Sequence, residues 1–240
     1  MKTNVKNYRK IIIIALPLFV SLFSFLVPYF IFSSFISNRL EQSYLEDSNI
    51  LVDASASEIS LLWKNIETYG STYNFINEED IESYIESLLE KEEIEYINAI
   101  SGGKEYKANR KDGISINPID QSIDATTTGY QRPDSFFSSE KERCISFVTR
   151  KDERSLEIGI KTSAFLSLLP TYGKIPSAIY IVDSEGYLIT EKWNGFSAPY
   201  TMRMSGGLAK IIAPFQSIRI ERDIKDTPFS IVYLLDKNSI

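Results

Sequence analysis

The residue types that usually carry catalysis are scarce in this sequence. There is no histidine among the 240 residues, and Cys144 is the single cysteine. The missing histidine excludes Ser-His-Asp and Cys-His catalysis, the usual zinc sites and simple histidine switching near neutral pH. Carboxylates are plentiful, but no recognisable pair or nucleophile motif marks any of them as catalytic. The sequence therefore predicts no enzyme, no metal site and no cofactor, and the chemistry that remains is binding.

Cys144 has no partner for an intramolecular disulfide. It begins the apolar run CISFV at 144–148, which favours a buried thiol that packs as a small hydrophobic side chain. The alternative is a disulfide to another chain outside the cytoplasm.

An uncharged N-terminal stretch dominates the organisation of the chain. No residue from Ile11 to Asn38 is charged. A helix needs about 20 apolar residues to cross a bilayer, so this stretch is long enough. Pro17 and Pro28 each remove a backbone donor and predict kinks, which spanning helices tolerate. The length of the stretch and the lack of a small-residue cleavage site favour an uncleaved anchor over a signal peptide or a buried core helix.

The charges on either side of this stretch predict its orientation. Residues 1–10 carry four basic side chains and no acid, whereas residues 39–47 carry three acids. The positive-inside bias then predicts a single-pass protein of the cytoplasmic (inner) membrane, with its N-terminus inside and residues 39–240 extracytoplasmic, or periplasmic. The net charge of −6 offers no basic surface for nucleic acid. The predicted divisions are a cytoplasmic tail at 1–10, a transmembrane anchor at 11–36, a stalk helix at 37–76 and an extracytoplasmic domain at 77–240.

A long helix is predicted where the chain leaves the membrane. Apolar residues recur at three- and four-residue spacing from residue 39 to about residue 70, and no proline or glycine interrupts them before Gly70. This stalk helix could pair with a second copy to make a homodimer, or it could pack wholly against its own domain. A second helix is predicted at 78–91, with Asn77 as its N-cap.

Strands and turns account for most of the remaining chain. The pattern predicts strands at 94–100, 105–108, 143–149, 155–161, 178–182, 187–190, 217–223 and 229–235. Residues 113–143 are polar and turn-rich and predict a long, partly mobile loop. A short helix is predicted at 162–169, and residues 191–213 are predicted to be irregular with a short helix near their end. Strands joined by short turns after long helices predict an α+β fold with an antiparallel sheet.

Two motifs resemble a known family. The hairpin AIYIVDSEGYLIT at 178–190 is similar to a strand, Asp-x-x-Gly turn and return strand, and TPFSIVYLL at 227–235 is similar to a closing strand. Together with the anchor and the stalk, they resemble the extracytoplasmic PAS-like (Cache) sensor domains of bacterial chemoreceptors, histidine kinases, diguanylate cyclases and cyclic-di-GMP phosphodiesterases. The resemblance implies a PAS-like antiparallel sheet flanked by helices, and a role as the sensor (input) region in signal transduction.

A narrower resemblance is to the CSS-motif sensor region found before EAL phosphodiesterase domains. The strand at 94–100, the Gly102-Gly103 turn and the strand at 105–108 follow its layout, and so does the stretch 155–169. This resemblance implies that the sensor controls cyclic-di-GMP turnover or a similar output that is not in this chain. The sequence departs from the motif because no cysteine stands in the return strand, so a redox-switched disulfide within the domain is not available.

A PAS-like sensor binds its ligand between the sheet and the flanking loops. The resemblance implies that six residues line such a pocket: Tyr130, Arg132, Asp134, Asp183, Trp193 and Tyr200. Arg132 would clamp a carboxylate through two hydrogen bonds. Trp193 would pack on an amine by cation–π attraction, with an acidic side chain as counter-ion. The implied ligand is therefore a small molecule that carries a carboxylate or an amine.

Each of three candidates also has a plainer explanation. Arg132 could be a solvated loop arginine, Asp183 could serve only the tight turn that follows its strand, and Trp193 could belong to the core. At the level of function, the alternative is a bitopic envelope protein that serves interaction or assembly and binds no small molecule.

Overall fold

The structure is a computed structural model. It describes residues 3–119, 128–132, 143–170, 177–194, 201–203, 209–211 and 217–236. The chain divides into two compact units, Met1–Ser48 and Asn49–Ser239. One helix, α1 (Thr3–Tyr73), contributes residues to both units.

The N-terminal unit presents apolar side chains to its surroundings. Every side chain from Leu16 to Leu40 is exposed, although most are aliphatic or aromatic. Among the described residues, one helix is long and apolar enough to cross a membrane, and its apolar window is not buried by other parts of the protein. Pro17 and Pro28 lie inside α1 without ending it. These features fit a membrane-spanning helix, because hydrocarbon is the environment that such a surface requires.

Within the second unit, α1 buries one face against its own domain. The buried positions recur every three or four residues, as expected for one face of a helix. They are Val52, Ser55, Ile59, Trp63, Ile66, Gly70 and Tyr73. The opposite face exposes Ile50 and Leu61. The helix therefore does pack on its own domain, and pairing with a second copy through the exposed face stays a prediction.

The first sheet, named sheet A, contains six antiparallel strands in the order β3-β2-β1-β6-β5-β4. They are β1 (Ile94–Ser101), β2 (Lys104–Asn109), β3 (Gly113–Pro118), β4 (Gly129–Gln131), β5 (Cys144–Lys151) and β6 (Arg154–Lys161). β1 and β6 pair at the centre, where Ile97 lies opposite Ile158 and both are buried. Cys144 is half-buried at the start of β5 rather than fully buried.

The second sheet, named sheet B, contains four antiparallel strands in the order β11-β12-β7-β8. They are β7 (Ser177–Asp183), β8 (Leu188–Asn194), β11 (Ser217–Asp223) and β12 (Phe229–Asp236), and a separate two-stranded ribbon is formed by β9 (Thr201–Arg203) and β10 (Ala209–Ile211). β7 and β12 pair at the centre, with Ile181 opposite Ile231. The order β8-β7-β12-β11 repeats the order β2-β1-β6-β5, so both sheets are built around a pair formed by their first and last strands. The predicted α+β fold with antiparallel strands is confirmed.

The second predicted helix is shorter than expected. A single 3₁₀ turn (Glu78–Asp80) precedes α2 (Ile81–Leu89). Asn77 does not cap the backbone, and its side-chain amide instead donates to the Asp80 carboxylate at 3.4 Å. Asn77 thus stands at the N-cap position of the 3₁₀ turn, as predicted, but its side chain makes no capping hydrogen bond to the backbone. The short helix predicted at 162–169 is observed as α3 (Thr162–Ser167).

Two stretches predicted to be irregular contain strands. β3 and β4 lie within 113–143, where Ile114 pairs with Ala108 and Tyr130 pairs with Phe147. Both are edge strands, which tolerate polar residues because pairing with a neighbour satisfies their backbone groups. Within 191–213, β8 continues to Asn194, and residues 209–211 form a strand where a short helix was predicted. These corrections reflect pairing partners that a local pattern does not reveal.

Aromatic rings fill the junction between α1 and the two sheets. The Trp63 ring on α1 contacts Phe147 of sheet A at a centroid distance of 5.6 Å and Phe229 of sheet B at 5.0 Å, both edge to face. Phe165 of α3 packs on Phe229 at 5.5 Å. At Gly70, α1 approaches sheet A so closely that an added Cβ would lie 2.6 Å from the Phe147 ring. The stalk helix thus forms part of the core of the domain.

Candidate functional site

Asp183 stands at the end of β7, the one strand of sheet B that is buried at every position. Its Oδ1 accepts hydrogen bonds from the backbone N–H groups of Glu185 at 3.0 Å and Tyr187 at 2.9 Å. Gly186 completes the turn with a φ of 80°, in the left-handed region that glycine adopts most readily. The turn role expected for Asp183 is therefore present.

The second carboxylate oxygen of Asp183 is engaged by residues from sheet A. Oδ2 accepts from Nε of Arg132 at 2.7 Å and lies 2.6 Å from Nη2 of the same side chain. The Tyr130 hydroxyl donates to the same oxygen at 3.3 Å. Because the Asp183 side chain is 0% exposed, this charge depends on those partners. Asp183 thus fixes its own turn with one oxygen and joins the two sheets with the other.

Arg132 follows β4 and is held on several sides. Its Nη1 pairs with Oε2 of Glu185 at 3.1 Å, and its guanidinium carbon lies 4.1 Å from the centre of the Tyr187 ring. The Arg132 side chain is only 22% exposed. The explanation of Arg132 as a solvated loop arginine is therefore wrong. We call the group Tyr130, Arg132, Asp183, Glu185 and Tyr187 the arginine cluster.

Tyr130 connects the arginine cluster to the aromatic junction. Its ring lies 5.3 Å from Phe229 and 6.4 Å from Trp63. Burial raises the pKa of the Tyr130 hydroxyl, and the nearby Asp183 carboxylate raises it further. The hydroxyl therefore stays protonated and remains a donor to Asp183.

The charge state of Arg132 is also fixed by its surroundings. Burial alone would lower its pKa, but the hydrogen bonds to Glu185 and Asp183 outweigh that effect and raise the pKa above its ordinary value. A permanently charged guanidinium beside a buried carboxylate and two aromatic rings is suited to bind a small polar molecule. Among the described residues, no group of three His, Cys, Asp or Glu side chains is placed to hold a metal ion.

The six candidates from the sequence have different outcomes. The structure brings Tyr130, Arg132 and Asp183 into contact. Trp193 lies opposite Ala178 near the end of β8 and is 50% exposed, so it is not a core residue. Asp134 and Tyr200 lie outside the described residues.

Sequence reasoning missed two members of the cluster, Glu185 and Tyr187. Both follow Asp183 in the same turn, two and four residues later. The sequence places both residues close to Asp183, but a tight turn gives no signal of which of its side chains share a partner. What the turn does not show is that Arg132 comes from the other sheet.

A cleft of about 640 Å³ lies apart from the arginine cluster. It runs between α1 and α3 and is lined by Glu58, Leu61, Leu62, Asn65, Glu92, Glu93, Arg110, Lys161, Ser163, Ala164, Ser167 and Leu168. Its volume is typical of small-molecule pockets. Its two basic side chains are engaged elsewhere, since Arg110 donates to the carbonyl oxygens of Lys91 and Ile94 and Lys161 lies 3.5 Å from Glu95. The arginine cluster is the stronger candidate, because its polar groups converge from two sheets.

The fold can now be compared with solved structures. The sensory domain of the Campylobacter jejuni chemoreceptor Tlp3 is similar with a TM-score of 0.54 and 9% identity over 85% of this chain and 98% of that chain. The Tlp3 ligand-binding domain in complex with L-norvaline gives a TM-score of 0.53 and 10% identity, over 83% and 93%. The extracellular domain assigned to histidine kinase soHK1S-Z6 gives 0.51 and 11%, over 84% and 97%.

The chain shares the fold of these solved sensory domains. The resemblance of the 178–190 hairpin and the closing strand is thereby confirmed at the level of the fold. No protein-family model matches the sequence, and a search of curated proteins found no match. At identities of 9% to 11% the likeness establishes the fold alone.

Proposed function

We propose that this chain is the extracytoplasmic sensor (input) region of a membrane-anchored bacterial signal-transduction protein. The observation that carries the proposal is the arginine cluster, in which a fully buried carboxylate of sheet B meets an arginine and a tyrosine of sheet A. The apolar helix at the N-terminus and the Cache-like fold support the same role. Binding rather than catalysis is the chemistry that these side chains offer.

The proposed ligand is a small molecule with a carboxylate, an amine or both. Arg132 would hold the carboxylate. Asp183, whose side chain is 0% exposed, would act by holding Arg132 in place rather than by touching the ligand. Solved structures of similar fold include the Tlp3 domain with isoleucine, with TM-score 0.51, and with L-norvaline, with TM-score 0.53, which supports an amino acid as the first class to try. Trp193, Asp134 and Tyr200 stay candidates for the same pocket.

We further propose that the N-terminal helix spans the bilayer with its N-terminus inside, as the flanking charges predict. A homodimer would form through the exposed face of α1, which carries Ile50 and Leu61. Ligand binding would act by favouring one of two arrangements of α1, which requires different affinities for the two.

The proposed output is control of cyclic-di-GMP turnover, which rests on the resemblance to the CSS-motif region. Cyclic-di-GMP would be measured in cells that express the natural protein or its Arg132→Ala variant, before and after addition of a bound amino acid. A ligand response that disappears in the variant supports this output. A cyclic-di-GMP level that the amino acid leaves unchanged, with the natural protein as well as with the variant, would contradict this output.

One observation favours the alternative of an interaction or assembly protein. The charged groups of the arginine cluster satisfy one another, since Arg132 is already paired with Asp183 and with Glu185. A cluster of this kind could serve only to join the two sheets. The two functions differ in whether a small molecule stabilises the protein.

The test is thermal unfolding of the full chain in lipid nanodiscs with each of the twenty L-amino acids. A ligand that binds the folded state raises the unfolding temperature by mass action. Arg132→Ala should abolish any rise, whereas Arg219→Ala, which removes an exposed arginine paired with Glu221, should keep it. No rise for any amino acid with the natural protein would contradict the proposed ligand class and favour the alternative.

A further inference from the structure

The guanidinium of Arg132 has one nitrogen, Nη1, whose described partner is not the buried carboxylate of Asp183. Nε and Nη2 face the buried carboxylate of Asp183, and the Tyr187 ring covers one flat face of the group. Nη1 points to the remaining side, where its described partner is Glu185 at 3.1 Å. A carboxylate that binds Arg132 at Nη1 would therefore compete with the Glu185 carboxylate.

Glu185 differs from Asp183 in what it contributes to the fold. The Asp183 side chain is completely buried and holds the turn, whereas the Glu185 side chain is 66% exposed. The turn uses the backbone N–H of Glu185, and its described side-chain contact is with Arg132 alone. Loss of the Glu185 carboxylate should therefore leave the turn intact.

We propose that Glu185 is an internal competitor for the ligand carboxylate at Arg132. This inference rests on the proposed function and adds to it a residue that sets affinity and selectivity. In the unliganded protein the Glu185 carboxylate stands where the ligand carboxylate binds. The ligand must displace it, so a ligand carboxylate binds more weakly than it would at an unpaired Arg132.

The size of this effect follows from the exposure of the pair. Exposed ion pairs contribute little to stability, so their loss should strengthen binding of a competing carboxylate by only about two- to fivefold. The effect should depend on the carboxylate of the ligand. An amino-acid amide, which has no carboxylate, should gain nothing.

The experiment compares Glu185→Gln with the natural protein as full chains in nanodiscs. The probes are the twenty L-amino acids and their amides, measured by titration calorimetry. Glu221→Gln is the matched control, because it removes another exposed glutamate that pairs with an arginine, here Arg219 at 2.8 Å. Glu185→Ala serves as a second variant, because a glutamine amide oxygen can still accept from Arg132.

The expected result is tighter binding of acids, but not of amides, in both Glu185 variants and not in the control. Binding that appears only in the Glu185 variants also supports the proposal. If the natural protein binds an amino acid and the Glu185 variants bind it equally or more weakly, the competitor role is wrong while the sensor function stands. If amides gain as much as acids, the competitor role is also wrong. If no variant binds any probe, both the proposed ligand class and this inference fail.

Discussion

The two sheets share one strand order but differ in how their central strands are buried. β1 of sheet A is buried at alternating or isolated positions, whereas β7 of sheet B is buried at every position. On one face of sheet B, Tyr180 and Val182 pack with Leu188, Val232 and Leu234. The central strand β7 of sheet B is thus covered on both faces, whereas β1 of sheet A is only partly covered on one face.

This difference explains how the arginine cluster is divided between the sheets. The fixed acid, Asp183, ends the most buried strand, and the arginine follows β4, a three-residue strand at the edge of sheet A. An edge strand is paired with only one neighbour. Moving it therefore requires less free energy than moving a central strand, which is paired on both sides. We infer that Asp183, at the end of β7, is the rigid member of the cluster. Arg132, which follows edge strand β4, is the member whose position changes more easily.

Phe229→Ala should have the largest effect, because this ring belongs to sheet B and contacts Trp63, Tyr130 and Phe165. Removing a buried phenylalanine costs about 3–5 kcal/mol of unfolding free energy. We expect backbone amides in both sheets to lose protection, measured by hydrogen exchange alongside urea unfolding of the full chain in nanodiscs. Phe75→Ala, which removes an exposed ring, is the control. Lost protection in sheet B alone would show that the sheets are stabilised independently.

Asp183→Ala should come next and should act mainly on sheet B. The change leaves Arg132 without its buried partner and two backbone N–H groups without an acceptor, at a cost of about 3 kcal/mol. Urea unfolding would measure it against Asp223→Ala, whose carboxylate accepts from the exposed Ser230 hydroxyl. Equal losses in the two variants would contradict the special status of the buried acid.

Gly70→Ala tests the approach of α1 to sheet A. An alanine gains about 1 kcal/mol in helix propensity, but its Cβ would lie 2.6 Å from the Phe147 ring. Overpacking costs about 1–3 kcal/mol, so we expect a net loss of about 0–2 kcal/mol. Exchange protection should fall in β5 more than in sheet B. Ser71→Ala, at an exposed neighbouring position, should change stability by less than about 0.5 kcal/mol. A gain in stability from Gly70→Ala would mean that the ring moves aside without cost.

Arg222→Ala should have the smallest effect. Arg222 of sheet B pairs with Asp53 of α1 at 2.9 Å, and both side chains are exposed. Such pairs contribute about 0.2–1 kcal/mol and are screened by salt. A double-mutant cycle with Asp53→Ala at low and high salt measures the coupling. A coupling above about 2 kcal/mol would show that polar contacts, rather than the aromatic junction, hold sheet B to α1.

Much of the fold follows from local patterns in the sequence. The hairpin at 178–190 was predictable because apolar residues fill its strands and Asp183 and Gly186 have the chemistry of a tight turn. The inward face of α1 follows from its three- and four-residue spacing. β4 could not be predicted in this way, because a strand of three residues is too short to show a pattern. In β3, Ile114 and Ile116 do alternate with polar residues, but this short alternation was missed within a polar, turn-rich stretch.

The site was harder to predict from the sequence than the fold. Tyr130, Arg132 and Asp183 were named from their chemistry, but their contact depends on pairing between residues about 50 positions apart, since Arg132 and Asp183 are separated by 51. Glu185 was missed because a solvent-exposed acid in a turn carries no signal of its partner. The strand order that the two sheets share could not be predicted from the sequence either, because the two sheets have no repeated sequence in common.

The pairing of first and last strands sets an order for folding during synthesis. Sheet A is complete once residue 161 has been made, whereas the centre of sheet B requires β12, which begins at Phe229. Proteins often fold from the N-terminus as they emerge from the ribosome, and distant pairings are slow to form. Sheet A can therefore fold before β12, the pairing partner of β7, has been synthesised. In that interval the apolar strand β7 is open to wrong pairing, and nascent chains stalled before residue 229 should be the form that chaperones hold longest.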